Sequence, residues 1–197
     1  MREPVETRVT YLLEELERGH RGALDELFPL LYDELHAIAH LQRSRWQGDA
    51  TLNTTALVHE LYVKLADKER VGTQGRAHFY ALASKAMRHI LSNYARKKRA
   101  KKRGGHSVKV PLDEAKLMAG DEITFSADQA ELLSLLDDAL NRMEQVDPRR
   151  ARVVECRFYG GMTISDTAAA LEISPRTVKR DWAFAQAWLH REMKEHA

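Results

Sequence analysis

The sequence predicts an all-α fold in two small helical domains, residues 1–103 and 126–197, joined by a flexible acidic linker at 104–125. Three observations carry this. Apolar residues recur every three or four positions in nearly every periodic stretch, and no segment alternates as a half-buried strand does. Seven cations in eight positions, Arg96 to Arg103, close the first block at Gly104-Gly105. The charge then inverts: between Asp113 and Asp138 eight acidic residues stand against a single Lys116.

Leu24, Leu27, Phe28, Leu31, Leu35 and Ile38 mark a helix over 22–42, and a polar stretch around Gly48 interrupts the pattern. Asn53 is placed to cap a helix whose apolar face is Leu57, Leu61 and Leu65. Residues 71–75, Val-Gly-Thr-Gln-Gly, read as a loop. Phe79, Leu82, Ala83, Ala86, Met87, Ile90, Leu91 and Tyr94 then form one unbroken stripe, with Lys85, Arg88, Ser92 and Arg96 on another side of the same helix. After weak periodicity through Thr124, Ser126 and Gln129 resemble a capping box that opens a helix through Leu132, Leu136, Leu140 and Met143. Asp147-Pro148 is a second start signal, and Gly160-Gly161 stops that helix.

The strongest local pattern lies between Thr163 and Trp182. Thr163 caps a short helix and Asp166 answers it; Ala168 is small where two helices cross. Leu171, Ile173 and Val178 suit the inside of a bent helix pair. Ser174-Pro175 opens the second helix, whose inner face continues as Trp182, Ala185 and Leu189. This is helix-turn-helix spacing, which sets Ser174, Arg176, Thr177, Lys179 and Arg180 at the major groove. A helical hairpin with a solvated cationic face fits the same residues. Glu172 is costly in the turn if the backbone there is left-handed, by roughly 1 kcal/mol relative to Gly. Thr167 is more polar than an inward position favours.

The basic run also has two readings, a solvated helix end favoured by the helix dipole or a phosphate anchor. Phe79 and Tyr80, beside Gly75 and Arg76, offer stacking surfaces for unpaired bases. The 44% apolar composition excludes wholesale disorder, while the net charge of +2 by itself points to no partner. Cys156 is the sole cysteine, which excludes an intramolecular disulfide and a cysteine-based zinc site and suits a reducing cytoplasm. Neither a secretory signal nor a membrane span is expected. His36 and His40 have metal-ligand spacing near Glu34, but His59-Glu60 lacks a second His, and no phosphate-binding Gly loop or nucleophile elbow occurs. No enzyme activity, metal or cofactor is therefore expected.

At these residues a family resemblance enters. The segment from Phe79 through Ala83, Lys85, Met87, Arg88 and His89 to Asn93, Tyr94 and Arg96-Lys97-Lys98-Arg99 resembles the part of extracytoplasmic-function sigma factors that melts and reads the minus-10 element. Ala56 to Leu65 resembles their preceding helix, which docks on core RNA polymerase. Residues 149–193, with Arg157-Phe158-Tyr159-Gly160-Gly161-Met162-Thr163 and Ser174 to Arg180, resemble their minus-35 module. The likeness spans roughly 20–103 and 126–195. It implies a sigma region 2 bundle and a sigma region 4 helix-turn-helix, with core RNA polymerase and promoter DNA as partners; an anti-sigma protein is a candidate third.

The resemblance also implies roles. His59, Glu60 and Lys64 would meet polymerase. Gly75, Arg76, Phe79 and Tyr80 would hold a flipped base, and Lys85, Arg88, His89, Arg96, Lys97, Lys98 and Arg99 would take the strand backbone. The family usually has Trp where this chain has Leu82, and often Asn where it has His89. Asp181, Ala183 and Phe184 stand where basic residues are frequent, so Asp181 is expected to repel phosphate or to accept from a cytosine amino group. The acidic linker, through Asp113, Glu114, Asp121 and Glu122, is expected to act as a solvated tether, to thread the positively lined RNA exit path of polymerase, or to mask the basic faces of the free protein. A conventional helix-turn-helix regulator with a helical sensor domain is the competing reading.

Overall fold

The computed structural model describes residues 4–45, 54–67, 73–102 and 127–195. The expected caps at Asn53 and Ser126, the loop residues Val71 and Gly72, Arg103 and the acidic stretch 104–125 lie outside the described residues. Among those described, every regular element is helical. No helix there is long and apolar enough to cross a membrane, and no group of His, Cys, Asp and Glu could hold a metal ion.

A first helix, α1 (Val5–Glu17), buries Val9, Leu12, Leu13 and Leu16 at helical spacing. The single helix expected over 22–42 is two: α2 (Gly22–Leu30) and α3 (Tyr32–Arg45), broken at Leu31. Pro29 supplies the reason. It has no N–H to give the carbonyl of Asp25, and its ring crowds that carbonyl, so the last turn of α2 loosens. The bend still leaves Leu27, Leu31 and Leu35 sealed in the core.

The helix α4 (Thr54–Ala66) points Leu57, Leu61 and Leu65 inward, as its spacing predicts. Gly75, at φ +96°, makes the left-handed step that opens α5 (Arg76–Lys102). At 27 residues α5 is the longest described helix, about 40 Å. Its stripe of Phe79, Ala83, Met87, Leu91 and Ala95 anchors the bundle.

The remaining chain builds α6 (Ala127–Val146), α7 (Pro148–Val154), α8 (Ile164–Leu171) and α9 (Pro175–Glu195). Asp147 caps α7, its carboxylate accepting from the Arg150 N–H at 3.1 Å. At its C-terminal end α7 widens into a π-helical turn, Glu155–Tyr159, closed by the Gly160 N–H on the Glu155 carbonyl at 3.0 Å. The two sets of helices share one apolar cluster. Leu133, Leu136, Leu140, Met143 and Tyr159 join it from the later helices, Met87, Leu91 and Ala95 from α5. The helix α5 packs against α6, the π-turn and α8.

Candidate nucleic-acid interface

The pair α8–α9 is a helix-turn-helix, and local chemistry fixes each of its joints. Thr163 and Asp166 form the reciprocal capping box: the Thr163 hydroxyl oxygen accepts from the Asp166 N–H at 3.1 Å, and the Asp166 carboxylate accepts from the Thr163 N–H at 3.3 Å. Glu172 takes the left-handed turn position at φ 54°. There the Ile173 N–H reaches the Ala168 carbonyl at 3.0 Å, closing α8 at a cost of about 1 kcal/mol relative to glycine. Ser174 caps α9, accepting from the Thr177 N–H at 3.1 Å, and its hydroxyl shares a hydrogen bond with that of Thr177 at 2.8 Å. Val153, Ala168 and Val178 seal the crossing. Thr167 is fully buried without penalty because its hydroxyl donates to the Thr163 carbonyl at 2.8 Å.

The exposed rim at the start of α9 carries Ser174, Arg176, Lys179 and Arg180, with Thr177 half-buried beneath them. Asp181 lies under this rim, 0% exposed. Its carboxylate accepts from Arg149 Nε at 2.7 Å and from Arg180 Nε at 3.4 Å, and Arg150 Nε stands 3.7 Å away. One buried carboxylate thus gathers three guanidinium groups from α7 and α9.

The second basic surface belongs to α5. Arg96 and Lys97 are exposed, and Lys98 and Arg99 are half-exposed. At the opposite end Gly75 and Arg76 border a cleft of about 410 Å³ against α1, lined also by Glu6, Val9, Thr10, Leu13, Glu14 and Glu17. Arg76 and the Tyr80 hydroxyl both bond the Glu34 carboxylate of α3. Burial and then that bond hold the Tyr80 hydroxyl protonated far above its usual range.

A sequence-family model described as ECF sigma factor matches residues 6–195, nearly the whole chain and both basic surfaces. The chain belongs to the ECF sigma factor family. No curated protein matches it. Membership makes it a promoter-recognising subunit of RNA polymerase, a non-enzymatic initiation factor whose partners are the polymerase and promoter DNA.

The middle of α5 departs from what the sigma-factor pattern leads one to expect. Arg88 does not face solvent: it is 0% exposed and all five of its N–H groups are engaged. Nε donates to Asp137 at 3.0 Å; one terminal nitrogen to Glu155 at 2.7 Å and Glu144 at 3.5 Å; the other to Asn141 at 2.6 Å and the Asp137 carbonyl at 3.4 Å. Every acceptor comes from α6 or the π-turn. Lys85 donates to Glu144 at 2.9 Å, and Arg96 lies 3.2 Å from Asp137. Burial pushes the Glu155 carboxyl up even beside Arg88. His89, half-buried next to this cluster, is pushed down by burial and then by Arg88.

Two further expectations are corrected. Phe79, expected as a stacking surface, is 0% exposed within the core, because its ring sits on the apolar side of α5; Tyr80 is the half-exposed aromatic there. Asp181 faces neither phosphate nor base, because α7 covers it with arginines. On α4, His59 is exposed and Lys64 half-exposed, while Glu60 accepts from the Tyr94 hydroxyl. Sequence reasoning missed Arg149, Asp137, Glu144 and Glu155. Their positions on α6, α7 and the π-turn give no signal until α5 and α9 are laid against them.

Proposed function

We propose that this sigma factor binds core polymerase through α4, opens the minus-10 element with α5 and the loop before it, and reads the minus-35 element with α9. The observation that supports the division best is the separation of two cationic surfaces on different helices. The capped N-terminus of α9 shows Arg176, Lys179 and Arg180 as a helix-turn-helix does in the major groove. The C-terminal part of α5 carries Arg96, Lys97, Lys98 and Arg99, a strip suited to a strand backbone.

On this reading residues 1–103 and 126–197 act as two modules. The extruded base enters the cleft beside Gly75 and Arg76. Glu6, Glu14 and Glu17 on its far wall repel phosphate but accept N–H groups from a base edge. Flipping costs a few kcal/mol, which these contacts and the α5 cations offset. Among the described residues the conventional-regulator reading has no feature of its own.

The test is association with core polymerase followed by chemical probing of unpaired thymines on promoter-bearing DNA. The chain should form a stoichiometric complex with core, and the complex should expose thymines that neither component exposes alone. Tight duplex binding without polymerase, and no melting with it, would support the regulator instead.

A further inference from the structure

The helix α9 carries an aromatic ring in line with its cations. Thr177, Arg180 and Phe184 follow one another at helical spacing and share one face, with Arg176 and Lys179 beside them. Phe184 is 47% exposed. It stands two turns beyond Thr177, about 10 Å along the axis, a span of roughly three base-pair steps. One side of the ring is covered. The Arg150 guanidinium of α7 lies over it, 3.7 Å from the ring centroid. Arg150 is itself anchored: Nη1 pairs with the Asp147 carboxylate at 3.2 Å, and Nε stands 3.7 Å from the buried Asp181. That Nε is buried and has no hydrogen-bond partner among the described residues. The guanidinium is thus committed to two carboxylates and to backing the ring.

We propose that Phe184 is a specificity-determining residue, reading the 5-methyl group of a thymine in the upstream element from a ring that Arg150 holds in place. The inference rests on the reading of α9 as the helix that enters the major groove of the minus-35 duplex. Bases in a duplex are paired and stacked on one another, so the ring meets only their major-groove edges. Those edges offer one apolar group, the thymine methyl. Adenine and guanine present N7 there, and cytosine an amino group. Each of these loses water against an aromatic ring and gains no hydrogen bond in return. Phe184 therefore favours thymine and disfavours the other three bases. Arg150 is a positioning residue: a ring already held on one face has less freedom to lose on docking. Asp181, closed off from the groove, acts through this clamp.

The test uses the full-length chain in complex with core polymerase. Its probe is a promoter fragment taken from a start site that the wild-type complex selects. Each thymine of the upstream element, on either strand, is replaced singly by uracil. The exchange removes one methyl group and leaves the hydrogen bonds of the base pair intact. In the wild type, one such replacement should weaken binding by about fourfold, the contribution of one methyl group taken out of water. Phe184→Ala should bind thymine and uracil equally at that position and keep its affinity for core. Phe184→Leu, apolar but smaller, should keep part of the preference. Arg150→Gln, which leaves the ring without its clamp, should lower the thymine-to-uracil ratio without abolishing it.

The uracil scan of the wild type changes no residue of the protein, so it decides the matter whatever the variants do to the fold. A wild-type complex indifferent to every uracil overturns the inference, while selection of the upstream element keeps the role given to α9. A full thymine-to-uracil ratio in Phe184→Ala overturns it equally. If that variant keeps the ratio and loses affinity for core, the ring belongs to a protein interface instead. An unchanged ratio in Arg150→Gln overturns the clamp. If the complex selects no upstream element at all, the role given to α9 falls, and this inference with it.

Discussion

Arg88 on α5 and Glu155 in the π-turn meet at 2.7 Å across 67 residues of sequence, both shut off from solvent. This pair joins two groups of helices that the proposed function assigns to different stretches of promoter. Removing the guanidinium strands Asp137 and Glu155 as buried carboxylates, which costs about 3–5 kcal/mol. Arg88→Ala should therefore lower the urea midpoint well beyond what a surface substitution does. A loss under about 1 kcal/mol, typical of exposed pairs, would contradict the burial.

Acid should loosen the fold through its histidines. Burial and then Arg152 hold His78 below its usual 6.5, and burial and then Arg88 do the same to His89. The folded chain prefers both rings neutral, so their contribution is present above about pH 6.5 and is lost as pH falls through the lowered folded-state values. Glu155, pushed up by burial, works in the opposite sense, so curves are compared between variants. Between about pH 7.5 and 5 the urea midpoint should fall more in the wild type than in His78→Gln with His89→Gln. Parallel curves would count against the shifts.

Asp181 gives a prediction whose sign is unusual. Taking a negative charge from a DNA-binding helix ordinarily tightens binding. Here Asp181→Asn frees Arg149, Arg150 and Arg180 from their common anchor. Duplex affinity should fall and the thermal midpoint with it. Tighter binding in a fluorescence-anisotropy titration would mean that the carboxylate faces the DNA after all.

The exposed end of α5 should grip phosphate without sequence preference. With Arg96, Lys97, Lys98 and Arg99 all changed to Ala, affinity should drop across sequences. The slope of log affinity against log salt should flatten by roughly one unit for each phosphate no longer neutralised. Unchanged slopes would assign the run to a solvated helix end.

How far the sequence spoke depended on the range of the interaction. Caps are local, and Asp147, Thr163 with Asp166, and Ser174 all cap where their spacing predicts. Leu57, Leu61 and Leu65 point inward as a helical stripe must. The left-handed backbone at Glu172 answers the strain expected there. The early helix breaks because Pro29 outweighs an otherwise continuous stripe, and α1 shows its own signal in Val9, Leu12, Leu13 and Leu16 at helical spacing. The burial of Arg88 and Asp181 escapes the sequence for one reason. Helical periodicity tells which side of a helix is polar, and nothing in it tells that another helix covers that side. Apart from Arg180, next to Asp181 in sequence, their partners lie 31 to 67 residues away.

Promoter-directed initiation is the centre of the account, and mapping transcription starts tests it most directly. Core polymerase supplied with the purified chain, over fragmented genomic DNA, should initiate at sites sharing two upstream elements at fixed spacing. Lys179→Glu should abolish that selection while still binding core. A start-site profile identical to that of core polymerase alone would contradict the account.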